Sequence, residues 1–276
     1  MADISLTAGM RQNLYSMQNT AKLMDRTADR LSSGFIVKTA LDDPINYFAA
    51  QGHRQRATDL AGRKDEMGEA IQLVKAGNNG IEAVTDLVAS AKSLAQSALS
   101  AEDQDSIDNL ETQFDALRDQ IDALAGDSGY KGVNLLKEED LEVSFDEDGT
   151  NKVTLEGFNS DTTNTGLSIA AATGTWGTGG VPATTVIDAS IKDLDDARTT
   201  LRSEAKTMAN NLSTITIRQD FTSNMINTLN DGADNLTLAD MNEEGANMLM
   251  LQTRQGLGTS SLSMASQAAQ SVLRLF

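Results

Sequence analysis

The sequence predicts a mainly α-helical protein in which coiled-coil arms are nested around a small central insert that contains a β-hairpin. Apolar residues repeat every three or four positions near both ends, the long segments between them carry a similar repeat, and one short stretch alternates instead. The composition agrees, because the 276 residues include no Cys, one Trp and only 4% aromatic residues. So little aromatic material is typical of helical bundles rather than of compact enzymes.

Two apolar repeats occupy the ends of the chain. Each advances by alternating steps of three and four residues, which places its members on one narrow stripe, as in a coiled-coil seam. The N-terminal set is Met10, Leu14, Met17, Ala21, Met24, Ala28 and Leu31. The C-terminal set is Met248, Leu251, Gln255, Gly258, Leu262, Ala265, Ala269, Val272 and Phe276. Because isolated helices of this length are marginal in water, each stripe needs a partner helix, either within the chain or on another copy.

Two further helices are predicted after the first one. The first helix ends at Ser32-Ser33-Gly34, and the next begins where Asp43 can cap it and Pro44 fits its first turn. This second helix extends to about Leu99, and a third covers residues 107–124. The two form a predicted antiparallel helical hairpin.

The repeat changes character in the middle of the chain. Apolar and polar residues alternate on both sides of Asp148-Gly149, which predicts a β-hairpin, and residues 159–185 are rich in Gly, Thr and Ala, which predicts loop or short strands. A helix then returns, with a predicted break at Asn230-Asp231-Gly232, and Asp240 can cap the last helix.

The chain therefore divides into five predicted segments. Both ends form coiled-coil arms, and the acidic insert faces solvent between the long helices. The segments are an N-terminal arm (1–40), a long helical hairpin (41–137), a small variable insert (138–187), a return helix that packs on the hairpin (188–232) and a C-terminal arm (233–276).

The charge distribution separates the ends from the middle. The formal net charge is −18; residues 99–200 contain 22 acidic and 6 basic residues, whereas no acid follows Gly245. Such an acidic surface argues against nucleic-acid binding, and no apolar run approaches the roughly 18 residues of a membrane span. The first residues lack the basic and apolar blocks of a cleaved signal, so we expect export, if it occurs, without a removable leader.

Enzymatic chemistry finds no support in the sequence. His53 has no second His or Cys with which to bind zinc, and no nucleophile motif is present, so we expect no catalytic residue, cofactor or metal. The acidic clusters Glu138–Asp140 and Asp146–Asp148 lack the spacing of a calcium-binding loop. They are expected to form a solvated acidic face.

Several motifs resemble those of bacterial flagellins. At the N-terminal side they are Ala28-Asp29-Arg30-Leu31-Ser32-Ser33-Gly34, Asp42-Asp43 and Gly129-Tyr130-Lys131-Gly132-Val133-Asn134-Leu135-Leu136. At the C-terminal side they are Leu251-Gln252-Thr253-Arg254-Gln255, Leu257-Gly258 and Gln270-Ser271-Val272-Leu273-Arg274-Leu275-Phe276. Together they cover roughly residues 1–136 and 186–276, and their combination is specific.

The resemblance implies a structural subunit that polymerises into the extracellular flagellar filament, a propeller for motility. It implies inner tubes formed by the terminal helices, export through a type III apparatus, a chaperone on the C-terminal segment, and contacts with cap and hook-junction proteins. The two apolar stripes would then be polymerisation seams. A hook-filament junction protein is the alternative within the same superfamily, and a filament-displayed adhesin is a more distant one.

One stretch departs from the family pattern. Flagellins that activate the vertebrate flagellin receptor resemble one another in Leu-Gln-Arg-Val-Arg-Glu-Leu, and this chain has Leu87-Val88-Ala89-Ser90-Ala91-Lys92-Ser93 in that place. Both arginines are absent, and Lys92 replaces the acid. Leu87, Ala89, Ala91 and Lys92 therefore form a degenerate recognition stretch, and we expect weak activation or none.

Overall fold

The computed structural model describes residues 8–273. Within that range the chain is mainly helical with two small β-ribbons, in agreement with the predicted fold class. The elements are α1 (Ala8–Ser33), α2 (Pro44–Ala98), α3 (Gln104–Asp127), β1 (Leu141–Ser144), β2 (Lys152–Leu155), β3 (Gly177–Thr178), β4 (Val181–Pro182), α4 (Thr184–Thr237) and α5 (Met241–Leu273).

The described residues form two compact units. The first unit comprises the described residues up to Gln55 and from Thr228 onward, and the second unit is Arg56–Asn227. The first contains α1, α5 and the adjoining ends of α2 and α4. The second contains the rest of α2 and α4 together with α3 and the β-ribbons.

The second unit has the larger apolar core. Side chains of α2, α3 and α4 meet with those of the insert, and the rings of Phe114 and Trp176 lie with centroids 4.8 Å apart. The buried indole N–H of Trp176 donates to Ser190 Oγ at 3.2 Å, so its polar atom is satisfied. The largest contributors from the helices are Met67, Ile107, Phe114, Ile121, Ile187, Leu194 and Leu201.

The insert contains the predicted hairpin. Strands β1 and β2 pair antiparallel from Leu141 opposite Leu155 to Ser144 opposite Lys152, with Val143 and Leu155 buried. Gly149 has φ +67°, which a turn between the strands requires and a glycine adopts without strain. The second ribbon, β3 with β4, lies in the segment predicted as loop or short strands.

The predicted helix starts are confirmed at two caps. Asp43 Oδ1 accepts the backbone N–H groups of Ile45 and Asn46, both at 3.1 Å, where α2 begins at Pro44. Asp240 Oδ1 accepts the N–H of Asn242 at 2.8 Å at the start of α5. These bonds satisfy donors that the first turn of a helix leaves free.

The predicted break at Asn230-Asp231-Gly232 is wrong, because α4 continues to Thr237. A glycine inside a helix costs only about 1 kcal/mol. Packing offsets that cost, since Leu229, Ala233 and Thr237 are buried around the expected break.

In the first unit, α1 and α5 run antiparallel. Asn13 lies beside Gly258, and Arg30 lies beside Glu244 at the other end of the pair. The chain after α1 is fastened to the α4–α5 junction, since the N–H of Ile36 donates to Thr237 O at 2.8 Å and the N–H of Ala239 donates to Gly34 O at 2.9 Å.

Candidate functional site: the paired terminal helices

The C-terminal apolar set faces α1. Leu251 is buried, and Met248, Gln255, Gly258, Leu262, Ala265 and Ala269 are each partly covered, whereas most positions between them are exposed. Gly258 permits the closest approach, because a Cβ built there would lie 2.9 Å from Met17 Cγ. Val272 belongs to the last turn of α5, and Phe276 lies outside the described residues.

The N-terminal set is divided between two faces. Met10, Met17, Met24 and Leu31 are partly covered on the side of α5, but the alternate places on that side are filled by Asn13, Thr20 and Thr27. Leu14, 39% exposed, and Ala28 lie outside this contact, and Ala21 is only partly covered. The contact stripe of α1 is therefore rotated from the predicted one.

Polar groups inside the contact explain why this rotation is tolerated. The hydroxyl of buried Thr20 donates to Ser16 O at 2.9 Å within α1 itself. The amide of Asn13 donates to Gly258 O at 3.3 Å across the contact. Because these polar groups are hydrogen-bonded, burying them in the contact stripe costs little free energy. Leu14 then lies on a neighbouring, exposed face of α1.

An ion pair fixes the position of α1 against α5. Arg30 Nη1 lies 2.6 Å from Glu244 Oε1, and the Glu244 side chain is only 7% exposed. A buried carboxylate without such a partner is strongly unfavourable, so the pair favours one register of the two helices. The sequence did not predict this pair, although Arg30 lies within the Ala28–Gly34 motif and α5 has acids in its first turn.

The opposite side of α5 carries a second apolar stripe. Met250, Leu257 and Met264 are spaced seven residues apart and are 58%, 68% and 62% exposed. They lie two residues beyond Met248, Gln255 and Leu262, which is about 160° around a helix of 3.6 residues per turn. Helix α5 is therefore apolar on two sides. Within the chain, α1 covers one side and the other remains exposed.

The degenerate recognition stretch lies on α2 in the second unit. Ala91 is buried, Leu87 is partly covered and Ala89 is exposed. Lys92 Nζ contacts both carboxylate oxygens of Asp195 on α4, at 2.6 and 2.7 Å. The hydrogen bonds from Lys92 are the main cause of the lowered pKa of the Asp195 carboxyl.

Carboxylates of α3 hold the irregular part of the insert. Glu111, 3% exposed, accepts three backbone N–H groups, those of Gly174, Thr175 and Trp176. Asp115 accepts the N–H groups of Ala172 and Thr173, and Asp122 accepts that of Thr162. Although burial opposes ionisation of Asp115, these bonds and that from the Thr173 hydroxyl hold its pKa below the usual value.

Most side chains of the two acidic clusters are exposed, as predicted for a solvated acidic face, and several of them also accept hydrogen bonds from the chain. Glu139 Oε2 accepts the N–H of Asn134 at 2.6 Å, and Asp140 Oδ1 accepts that of Gly157 at 2.8 Å. Asp146 accepts the Thr150 hydroxyl and two groups of Asn151, which lowers its pKa to about 2. These carboxylates stabilise turns, as Asp side chains commonly do.

No group of three or more His, Cys, Asp or Glu side chains in residues 8–273 is placed to hold a metal ion. None of the helices in the same range combines the length and the apolar character needed to cross a membrane.

The helical parts of the chain are similar to those of known proteins. Residues 4–140 match the family model for the bacterial flagellin N-terminal helical region, and residues 184–276 match that for the C-terminal helical region. Flagellin FljK of Caulobacter vibrioides is 26% identical over 99% of this chain and 98% of its own length. A flagellin of Brucella melitensis is 26% identical over 100% and 99%. A crystal structure of Bacillus cereus flagellin is 20% identical, covers 57% of this chain and 88% of its own, and gives a TM-score of 0.47.

Paired terminal helices and a second helical unit that carries a small insert define a mainly helical structural protein. The two family matches span both arms and the long helices. The chain belongs to the bacterial flagellin family. It is a structural subunit of the flagellar filament, which lies outside the cell, and its partners are other flagellin subunits.

Proposed function

We propose that the α1–α5 pair is the surface through which copies of this chain polymerise, with residues 1–40 and 233–276 as the arms of the inner tubes. The observation that supports the proposal is the exposed stripe of Met250, Leu257 and Met264 on the free side of α5. Burying one large apolar side chain contributes roughly 1.5–3 kcal/mol. A repeated contact along this stripe therefore favours assembly.

The remaining segments fit layers farther from the filament axis. In this proposal the hairpin (41–137) and return helix (188–232) form the next shell, and the insert (138–187) faces solvent. The 22 acidic residues between positions 99 and 200 support this order, because charge is costly to bury and favours water. The absence of acids after Gly245 suits the interior of a tube.

The predicted polymerisation seam takes a modified form in this proposal. Met10, Met17, Met24, Leu31 and the inward residues of α5 hold the two helices of one subunit together. Leu14, Ala21 and Ala28, together with the outer stripe of α5, contact neighbouring subunits. The predicted seam residues are thus divided between two contacts, one within the subunit and one between subunits. This division is possible because the helices have apolar residues on more than one face.

Leu257→Asp tests the outer stripe. Because Leu257 is exposed, the variant subunit should fold normally, with unchanged far-UV circular dichroism, but should fail to form filaments at neutral pH in sedimentation and electron microscopy. Gln252→Asp is the matched control, since Gln252 is an exposed residue on another side of α5 and the change of charge is the same. Normal filaments from Leu257→Asp would contradict the proposal.

Before assembly, the outer stripe of α5 would be exposed to water. We propose that an export chaperone covers this C-terminal segment, and that the filament cap and hook-junction proteins contact the same arms. Export without a cleaved leader belongs to the same proposal, as does a purely structural, non-enzymatic role. A chaperone complex should protect the Met250 and Met264 side chains from peroxide, which mass spectrometry of their peptides would measure.

We also propose that this chain activates the vertebrate flagellin receptor weakly or not at all. Leu87 and Ala91 offer little exposed surface, and Lys92 is held by Asp195. A reporter-cell assay with monomeric protein should give a response far below that of a potent flagellin. A response of equal strength would show this expectation to be wrong.

A further inference from the structure

A basic groove lies along one flank of the α1–α5 pair. It has a volume of about 520 Å³ and is lined by Ser16, Asn19, Thr20, Lys22, Leu23, Arg26 and Arg254. In the described part of the chain, Lys22, Arg26 and Arg254 take part in no ion pair within 4.0 Å. Arg254 stands on a helix that has no acid beyond Glu244.

The other flank of α1 carries an acidic flank of matching length. Its members advance by steps of four and three residues and are exposed except for Ala21, which is partly covered: Leu14, Gln18, Ala21, Asp25 and Ala28. Asp25 is its one charged residue, and the two alanines allow close approach. In the described chain Asp25 also has no ion pair within 4.0 Å.

Most groove residues of α1 lie on the side of the helix away from the acidic flank, and Lys22, three residues before Asp25, lies between the two surfaces. Leu23 in the groove and Asp25 on the acidic flank are two residues apart, which is about 160° around the helix. The same spacing relates Asn19 to Ala21 and Arg26 to Ala28. The stripe that contacts α5 borders both surfaces, and buried Thr20 belongs to that stripe as well as to the groove.

This arrangement has the form that an open helical polymer requires. Such a polymer is built by a contact between two different surfaces of the same chain, so that one copy can always add to the next. We propose that the acidic flank of one subunit docks into the basic groove of a second copy, with Asp25 placed against Arg26 and Arg254. The inference rests on the proposed role of the α1–α5 pair in polymerisation and names the partner surfaces.

Charge and size both favour a second copy as the occupant. The groove supplies three cations and the flank one carboxylate at the same height along α1, so their charges attract. Arg26 already acts within its own chain on Asp42, whose pKa is lowered mainly by hydrogen bonds from Thr39 and Lys38 and least by Arg26. Arg254 has no comparable acid on α5, and a charge enclosed by assembly needs a partner.

Charge reversal tests this pairing in the full-length chain. Asp25→Arg and Arg254→Asp should each raise the critical concentration for polymerisation roughly tenfold or more, because each places like charges together. The double variant restores an opposite-charge pair between positions 25 and 254 at every contact, although the charge at position 25 then matches that of Arg26. Its critical concentration should therefore fall clearly below that of either single variant. Lys206→Asp, an equal change of charge at an exposed position of α4 in the second unit, should have little effect.

The outcomes separate this inference from the proposal on which it rests. If Leu257→Asp prevents filaments but Asp25→Arg polymerises normally, only the flank pairing is wrong. If both single reversals impair assembly and the double variant does not recover, Asp25 and Arg254 do not pair and the inference is also wrong. Circular dichroism and thermal unfolding of each monomer identify any variant that fails to fold, for which Asp25→Asn and Arg254→Gln replace the reversals and should each weaken assembly.

Discussion

Gly80 lies where α2 approaches the chain beyond α3. A Cβ built on it would stand 2.8 Å from Ser128 Cβ and 2.9 Å from Leu136 Cδ2, both closer than carbon atoms approach in folded proteins. Ser128 follows the last turn of α3, and its hydroxyl donates to Leu124 O at 2.7 Å. The glycine therefore fixes how closely two segments of the second unit pack.

Gly80→Ala should destabilise the second unit by up to about 2 kcal/mol. Alanine improves helix propensity by about 1 kcal/mol, but forcing a methyl group into a close contact costs about 1–3 kcal/mol. Gly62→Ala is the control, because Gly62 is also inside α2 and has no atom within 4 Å of the added Cβ. Urea unfolding should show opposite signs for the two variants; equal stabilisation would contradict the packing argument.

At the scale of elements, α3 is the support of the insert. Few of the insert's backbone groups are paired in strands, and acids along one side of α3 accept many of the others. Glu111 has the most enclosed position and three amide donors. Bonds to a charged acceptor are among the stronger hydrogen bonds in proteins.

Glu111→Ala should therefore loosen the segment around Trp176 and destabilise it by about 3 kcal/mol, since several buried amides lose their acceptor. Emission of Trp176, the one tryptophan of the chain, would report its exposure during urea unfolding. Asp119→Ala, an exposed acid on α3, should change stability by less than about 0.5 kcal/mol. Identical unfolding of both variants would show that Glu111 is not an anchor.

The elements were predictable where local chemistry decides them. Asp43 with Pro44 and Asp240 mark helix starts by their own hydrogen bonds, and the turn at Asp148-Gly149 marks a hairpin. The role of Glu111 was not predictable, because its amide partners are more than 60 residues away along the chain. For the same reason the pattern could not separate Leu14 from Met17: which side of α1 faces α5 depends on a helix more than 200 residues distant.

At the scale of the molecule, the two units differ in how much apolar side-chain surface each of them buries. The second unit encloses large side chains such as Trp176, Phe114 and Met67, whereas the α1–α5 contact fully buries few apolar residues, among them Leu251. Local stability follows buried apolar contact, so regions with little of it open more easily.

Hydrogen exchange should therefore be fast in α1 and α5 of the monomer and slow in the second unit. In filaments, the exchange of α1 and α5 should slow by a large factor, while the core of the second unit changes little. Mass spectrometry of peptides from both states would measure this. Equal protection of α5 in monomer and filament would contradict a role of its outer stripe in assembly.

The acids of α3 bind the insert by its amide hydrogens, a group that every amino acid except proline provides. Several anchored positions carry demands of their own, because the Thr162 hydroxyl also donates to Asp122, Ala172 is buried and Gly174 has φ +73°. Sequence change in this segment should therefore be tolerated first at exposed positions such as Ala171 and Thr175, while the backbone path that α3 supports is kept.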